Sequence, residues 1–273
     1  MAALYAIRRY HAHDLSAVST ISALGNLNDA LTKYMRRSPL SKWTSYRLSC
    51  VRFLKSLLLG AGTVCFVAES LATKEVVGWA IWSRHGKSER AKEWQRPNGG
   101  VMNWMERKLL SVETKYFEWV PGVDPTREDM HMKQLQPILA EEWPKEVFTE
   151  FWELDGICVH PDHYRKGIGR ILALWGVERG KGEDVPVVVH GSPDGRKLYE
   201  SVGFEVVARM VDFDAWVPEF KGMGPDGKGC WSMCWQPEGT NYLEKAREKM
   251  QKGKAKTEVK SVMGTPAESI TLT

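Results

Sequence analysis

The thirteen residues "HPDHYRKGIGRIL" (160–172) set Arg165, Lys166 and Arg170 around a closely spaced glycine pair, Gly167 and Gly169, at the start of an apolar run. The first amide N–H groups of a helix have no partner within it and carry the positive end of its dipole. A strand, this turn and a helix in that order make a cradle for phosphate or pyrophosphate, the glycines letting the ligand lie against bare backbone. Just upstream, "EFWELDGICV" (150–159) reads as a strand, and a period of two puts Glu153, Asp155, Ile157 and Val159 on one face. A carboxylate buried there rises toward working pH, which suits a general base.

Two familiar nucleotide motifs do not fit. The dinucleotide fingerprint needs a third glycine three residues after the second, where this chain has Leu172, and a P-loop needs its lysine after the glycines, where Lys166 precedes them. What remains, "GICVHPDHYRKGIGRIL", strongly resembles motif A of the GNAT acyltransferase superfamily: Val159 and Pro161 match, as do Gly167, Ile168 and Gly169, with Tyr164 in a place usually held by Gln or Arg. Downstream, "VVVHGSPDGRKLYESVGFEVV" (187–207) resembles the family's next strand, helix and LYxxxGF element through Leu198, Tyr199, Gly203 and Phe204. Ser192 stands there where Asn is usual, and Gly195 where Ala is common. The two motifs span about 55 residues, from 150 to 205; outside them the resemblance is one of element order only.

The resemblance implies an α+β (mixed α/β) GNAT fold, a mostly antiparallel twisted sheet with one splayed parallel strand pair and flanking helices. It implies transfer of an acetyl group from acetyl-CoA to an amine by direct attack. Ile157, Cys158 and Val159 would pair with the pantetheine arm. Tyr164, Arg165, Lys166, Gly167, Ile168, Gly169 and Arg170 would hold the pyrophosphate, with Ser192 and Arg196 also on the cofactor. Tyr199 fits the family's general acid, with a buried structural tyrosine as the competing reading. Glu153 coincides with the base Glu of the histone-acetylating branch and is preferred, Asp155 being the alternative or an acceptor-binding group. His160, His163 and His190 lie near the expected site and are expected mostly to be loop or strand-end hydrogen-bonding residues. Cys158 is assigned to packing, since direct transfer needs no thiolate.

Positioning these residues requires a strand over "LYAIRRY", a helix from Asp14 as N-cap, a helix over 41–58, two antiparallel strands "TVCFVAES" and "EVVGWAIWSRH", the strand–turn–helix, and further strands over "VPVVVH", "FEVVARMVDF" and "KGCWSMCWQ". Residues 86–147 are a charged insertion with helices expected over "GVMNWMERKLLSVETKYFEW" and "TREDMHMKQLQPILAEEW". Its Trp94, Trp104, Trp119 and Trp143 could shape an acceptor pocket, though at least half are expected to form the insertion's own small core. The domain is read as 1–236, followed by a basic tail, 237–273, helical then disordered.

At 273 residues, 43% hydrophobic and 26% charged, the chain suits one large globular domain. No apolar run reaches the ~18 to 20 residues of a membrane span, and Arg8, Arg9 and Asp14 break any signal-peptide core. Five scattered cysteines fit reduced thiols, so a cytoplasmic protein, also compatible with the nucleus, is expected, with no metal. Residues 241–260 hold seven Lys or Arg against three Glu, which accounts for the whole net charge of +4. A nucleic-acid-binding face is therefore not expected, and the run reads as a solvated helix. The expected partners are acetyl-CoA and a small-molecule amine, in a monomer or homodimer. The alternatives are acetylation of proteins or histones, with the tail as a targeting arm, and a non-catalytic acyl-CoA sensor.

Overall fold

Valine-rich, alternating segments become strands here because neighbouring elements bury them, and charged segments with one apolar stripe become the helices that do so. The computed structural model describes residues 4–27, 43–60, 62–96, 100–117, 143–211 and 230–251. In chain order the elements are β1 (Tyr5–Arg9), α1 (Leu15–Gly25), α2 (Trp43–Leu58), β2 (Thr63–Ser70), β3 (Val76–His85), α3 (Glu89–Gln95), α4 (Val101–Phe117), β4 (Phe151–Val159), α5 (Ile168–Glu183), β5 (Val187–Gly191), α6 (Pro193–Ser201), β6 (Glu205–Val211) and β7 (Cys230–Trp235). A further helix, α7, covers 242–251. The strands form one sheet in the order β1-β2-β3-β4-β5-β7-β6. Among the described strands only β4 and β5 run parallel, the other pairs being antiparallel.

That parallel pair is short. Trp152, Glu153 and Leu154 register with Val187, Val188 and Val189, after which β4 continues along β3 to Val159 and β5 stays with β7 to Gly191. The two middle strands thus splay apart just beyond Leu154. This is the mixed, mostly antiparallel α/β sheet expected from the sequence.

The sheet is covered on both faces. On one, α5 and α6 pack over Trp82, Trp152, Leu154, Val187, Val189 and Met233, with Leu172, Ala173 and Tyr199 supplied by the helices. The other face carries two separate clusters. Val18, Ile21 and Leu54 of α1 and α2 lie on Val67, Trp79 and Ile81, while Trp143, Phe148, Leu243 and Ala246 cover Val188, Val207 and Cys234. Between the two clusters the middle strands carry polar side chains.

Several local expectations change. Asp14 precedes α1, but its carboxylate does not cap that helix; it accepts from the His11 N–H at 2.8 Å and from Arg8 at 2.7 and 2.9 Å, and Arg8 also reaches Glu69 at 2.8 Å. The short α3 was not expected, being mostly charged; Ser88 caps it by accepting from the Ala91 N–H, and it buries Ala91. Trp94 and Trp143 do not form a core of their own. Trp94 meets Trp152 edge-on at 5.0 Å and Trp143 belongs to the cluster with Leu243, whereas Trp104 is 54% exposed. The helix expected over 126–143, except for Trp143 itself, and Trp119 lie outside the described residues. Finally, the basic stretch after 241 is not simply a solvated helix: α7 buries Leu243 and Ala246, and Arg247 donates to the Val206 carbonyl at 2.7 and 3.0 Å.

Candidate active site

The geometry of the site starts from an irregularity in β4. Leu154 registers with Trp82 and Gly156 with Ile81, so Asp155 is an extra residue, a β-bulge. A bulge reverses the in–out parity of every later residue in its strand. Trp152 and Leu154 lie on the α5 face, as do Ile157 and Val159, while Glu153, Asp155 and Cys158 lie on the other. The expectation that Glu153, Asp155, Ile157 and Val159 share one face is corrected: strict alternation fails at the bulge, and the carboxylates face away from Ile157 and Val159.

The two carboxylates occupy the polar gap between the clusters of the second face. Ser83 donates to Asp155 Oδ2 at 2.5 Å, and Ser83 Oγ is 3.1 Å from Thr63 Oγ1. His85 Nε2 is 3.0 Å from Glu153 Oε2, and its ring stacks on Phe151 at 4.5 Å. Opposite, His190 stacks on Trp143 at 4.9 Å and lies 3.5 Å from Ser232 Oγ. Burial works to raise the Glu153 carboxyl, but the contact with His85 and the charge of His85 and His190 hold it below the usual carboxylate range. For Asp155, burial and then the Glu153 charge push the carboxyl up to about 7, against Ser83 and His85. Burial lowers the His190 imidazole, with Glu153 opposing.

The loop after β4 supplies a different chemistry. His160 caps a short 3-10 turn, Pro161–His163, and His163 Nδ1 lies 3.2 Å from the Tyr5 hydroxyl. Arg165 and Gly167 both adopt left-handed backbone, with φ of 62° and 82°. A Cβ at Gly167 would meet nothing within 4 Å, so glycine is required there by conformation and the space before α5 is open. Lys166 donates to the Asp162 carbonyl at 2.8 Å, and Arg170 to the Ser201 carbonyl. Ile168 is 1% exposed, so its side chain belongs to the core and only its backbone faces the loop. Gly169 packs near Leu198, and Tyr164 is half exposed.

The remaining candidates are held by local contacts. Ser192 caps α6 by accepting from the Gly195 N–H, and Arg196 pairs with Glu200 at 2.7 Å and lies over the Trp231 ring at 4.3 Å. Tyr199 is 5% exposed, its ring close to Gly191 at the end of β5 and Gly195 in α6. Cys158 donates weakly to the Ile21 carbonyl at 3.5 Å, and burial pushes its thiol up to about 12. A Cβ on Gly25 would stand 2.3 Å from that sulfur, so α1 closes on β4 only because it ends in glycine.

The fold therefore brings the cradle, the splay and Tyr199 to one region, with the carboxylates on the far side of β4. Ser83, His85 and Thr63 were not singled out from the sequence. Alternation in "WSRH" separates Ser83 and His85 from Trp82 and Arg84, but which strand they face depends on pairing across about 70 residues of chain.

Residues 137–204, which include both carboxylates, the cradle and Tyr199, match the model of the Acetyltransferase (GNAT) family. This stretch is therefore similar to the GNAT acetyltransferases. The fold of the chain is also that of solved GNAT proteins. A structure described as histone acetyltransferase HPA2 and related acetyltransferase from Corynebacterium glutamicum aligns over 88% of this chain and 99% of that one, at 14% identity and a TM-score of 0.53. Arylalkylamine N-acetyltransferase 2 from Aedes aegypti aligns over 85% and 98%, at 12% identity and a TM-score of 0.49. The yncA protein of Salmonella typhimurium, solved with acetyl-CoA, aligns over 86% and 94%, at 16% identity and a TM-score of 0.41. Among the described residues there is no group of His, Cys, Asp and Glu that could hold a metal ion, and no helix is long and apolar enough to cross a membrane.

Proposed function

We propose that this protein is an acetyl-CoA-dependent N-acetyltransferase that acts on a small-molecule amine by direct transfer. The observation that carries this reading is the splay at Leu154, with a phosphate-type cradle at its mouth and a near-neutral carboxyl, Asp155, on the face beyond it.

The residues fit acetyl-CoA. The left-handed Gly167 and the start of α5 present backbone N–H groups, with Arg165 and Lys166 beside them, to a pyrophosphate. Past Leu154, the β4 edge that faces β5 has no registered strand partner among the described residues, which leaves its backbone for the amides of a pantetheine arm at Ile157, Cys158 and Val159. Acetyl-CoA, when bound, supplies the acetyl thioester. Ser192 and Arg196, at the head of α6, lie on the cofactor side.

A neutral amine is the nucleophile in direct transfer, so a group must take its proton. Asp155 has the better poise for that role, since a base works best with a pKa near the working pH. Glu153, kept ionised, raises Asp155 by its charge and draws a cationic acceptor into the gap. The buried Tyr199 hydroxyl is the acid for the departing sulfur. The gap is bounded by α1 and α2 on one side and by Trp143 and α7 on the other, which favours a small acceptor over a protein surface.

The test is release of free thiol from acetyl-CoA across a panel of aromatic, aliphatic and polycationic amines, with product masses. Turnover with at least one class, lowered by Tyr199→Phe, is expected. No release with any class, including histone and peptide acceptors, overturns the reading.

A further inference from the structure

We propose that Thr63 is a positioning residue for Asp155, acting through the hydroxyl of Ser83. Its kinetic consequence rests on the reading of Asp155 as the base; the geometric argument does not.

Three strands take part. Thr63, the first residue of β2, registers with Ser83 of β3, which registers with Glu153 of β4. The bulge then turns Asp155 to the same face as Glu153, and the Ser83 hydroxyl reaches it diagonally at 2.5 Å. Ser83 is 8% exposed, so its oxygen has little access to water and must find its partners in the protein. Its single hydrogen is committed to the Asp155 carboxylate. The Ser83 oxygen can then only accept from Thr63 Oγ1, 3.1 Å away, so the two hydroxyls point the same way along a chain that ends on the charge. Aligned hydroxyls polarise one another, so the second strengthens the hold of the first on the ionised carboxylate. When Asp155 is protonated, its oxygen can still accept from Ser83 but more weakly, so the chain favours the ionised form.

The other groups that bear on Asp155 are Glu153 on the same strand and His85 on β3, with His190 on β5 acting on Glu153. None of them is part of the hydroxyl chain. Removing a hydroxyl therefore changes Asp155 without changing the charges around it.

The experiment follows the Asp155 side-chain carboxyl by carbon NMR through a pH titration of the full-length protein, labelled at aspartate. Thr63→Val keeps the β-branched shape and loses the hydroxyl; Thr63→Ser keeps the hydroxyl. Ser83→Ala should raise the Asp155 midpoint by about one pH unit. Thr63→Val should raise it by less, Thr63→Ser should restore the wild-type midpoint, and Thr63→Val should add nothing once Ser83 is Ala. A Thr63→Val midpoint equal to wild type, or an equal shift in the Ser83→Ala background, overturns the proposal. Because the titration needs no substrate, it stands apart from activity. A moved midpoint with an unmoved acid limb of kcat/KM supports the positioning role and overturns Asp155 as the base.

Discussion

Glu153 and Asp155 share one face of β4, and the charge kept on Glu153 adds to burial in lifting the Asp155 carboxyl to about 7. Two like residues at one site thereby take different protonation states, one anionic and one poised to titrate.

With Asp155 as the base, kcat/KM should climb with pH and level off above about 7, falling roughly tenfold per unit below that. Asp155→Asn should lower kcat/KM by about 100-fold or more. Glu153→Gln should behave differently: removing the neighbouring charge lowers the Asp155 pKa and moves the acid limb to lower pH. Steady-state profiles of the three proteins between pH 5 and 9 distinguish these roles.

The same raised carboxyl makes a prediction about stability. The Asp155 pKa is higher in the folded state than in the unfolded chain, so its contribution to stability is fully present below about 4 and is lost as pH rises through about 7. Asp155→Asn removes that loss while still accepting from Ser83. The variant should match wild type near pH 4 and exceed it at pH 8, by up to about 4 kcal/mol, in urea unfolding.

In the cradle, Gly167→Ala places an L side chain at a φ of 82°. The cost should be about 1 kcal/mol of stability, together with weaker acetyl-CoA binding by calorimetry, because the loop can no longer aim its N–H groups. Gly182→Ala, inside α5 with open space at its Cβ and no left-handed φ, is the contrast: it should be neutral or stabilising by up to about 1 kcal/mol.

Leu243, on the packed face of α7, is 6% exposed. Leu243→Ala should cost about 2 to 4 kcal/mol in urea unfolding. Deletion of residues 241–273 removes this packed helix as well, so activity lost by that deletion reports a damaged core rather than a missing targeting arm.

Much of the architecture was legible because its signals are local. The valine run of β5, the glycine pair before α5 and the alternation of β2 and β3 each lie within about ten residues. The bulge at Asp155 was not legible, since nothing in "ELDGIC" states that two residues will oppose one on β3. That single displacement moved the carboxylates to the face opposite Ile157 and shifted the preferred base from Glu153 to its neighbour. Ser83 and Thr63 were missed for a related reason: hydroxyls on strands carry no motif until pairing sets them beside a carboxylate. The packed face of α7 was hidden by charge, because Leu243 and Ala246 are few among lysines and glutamates.

The sheet order carries one more consequence, for the order in which the protein is made. β7 comes last among the described strands but is an inner one, lying between β5 and β6, and α7 comes after it to close over Val188 and Trp143. A chain emerging from the ribosome can therefore finish its cradle early yet leave β6 without a partner and the gap beside His190 without its far wall. On the proposed reading, the acceptor gap is complete only once α7 has been made, so a chain terminated before it would have the cradle without the far wall of that gap.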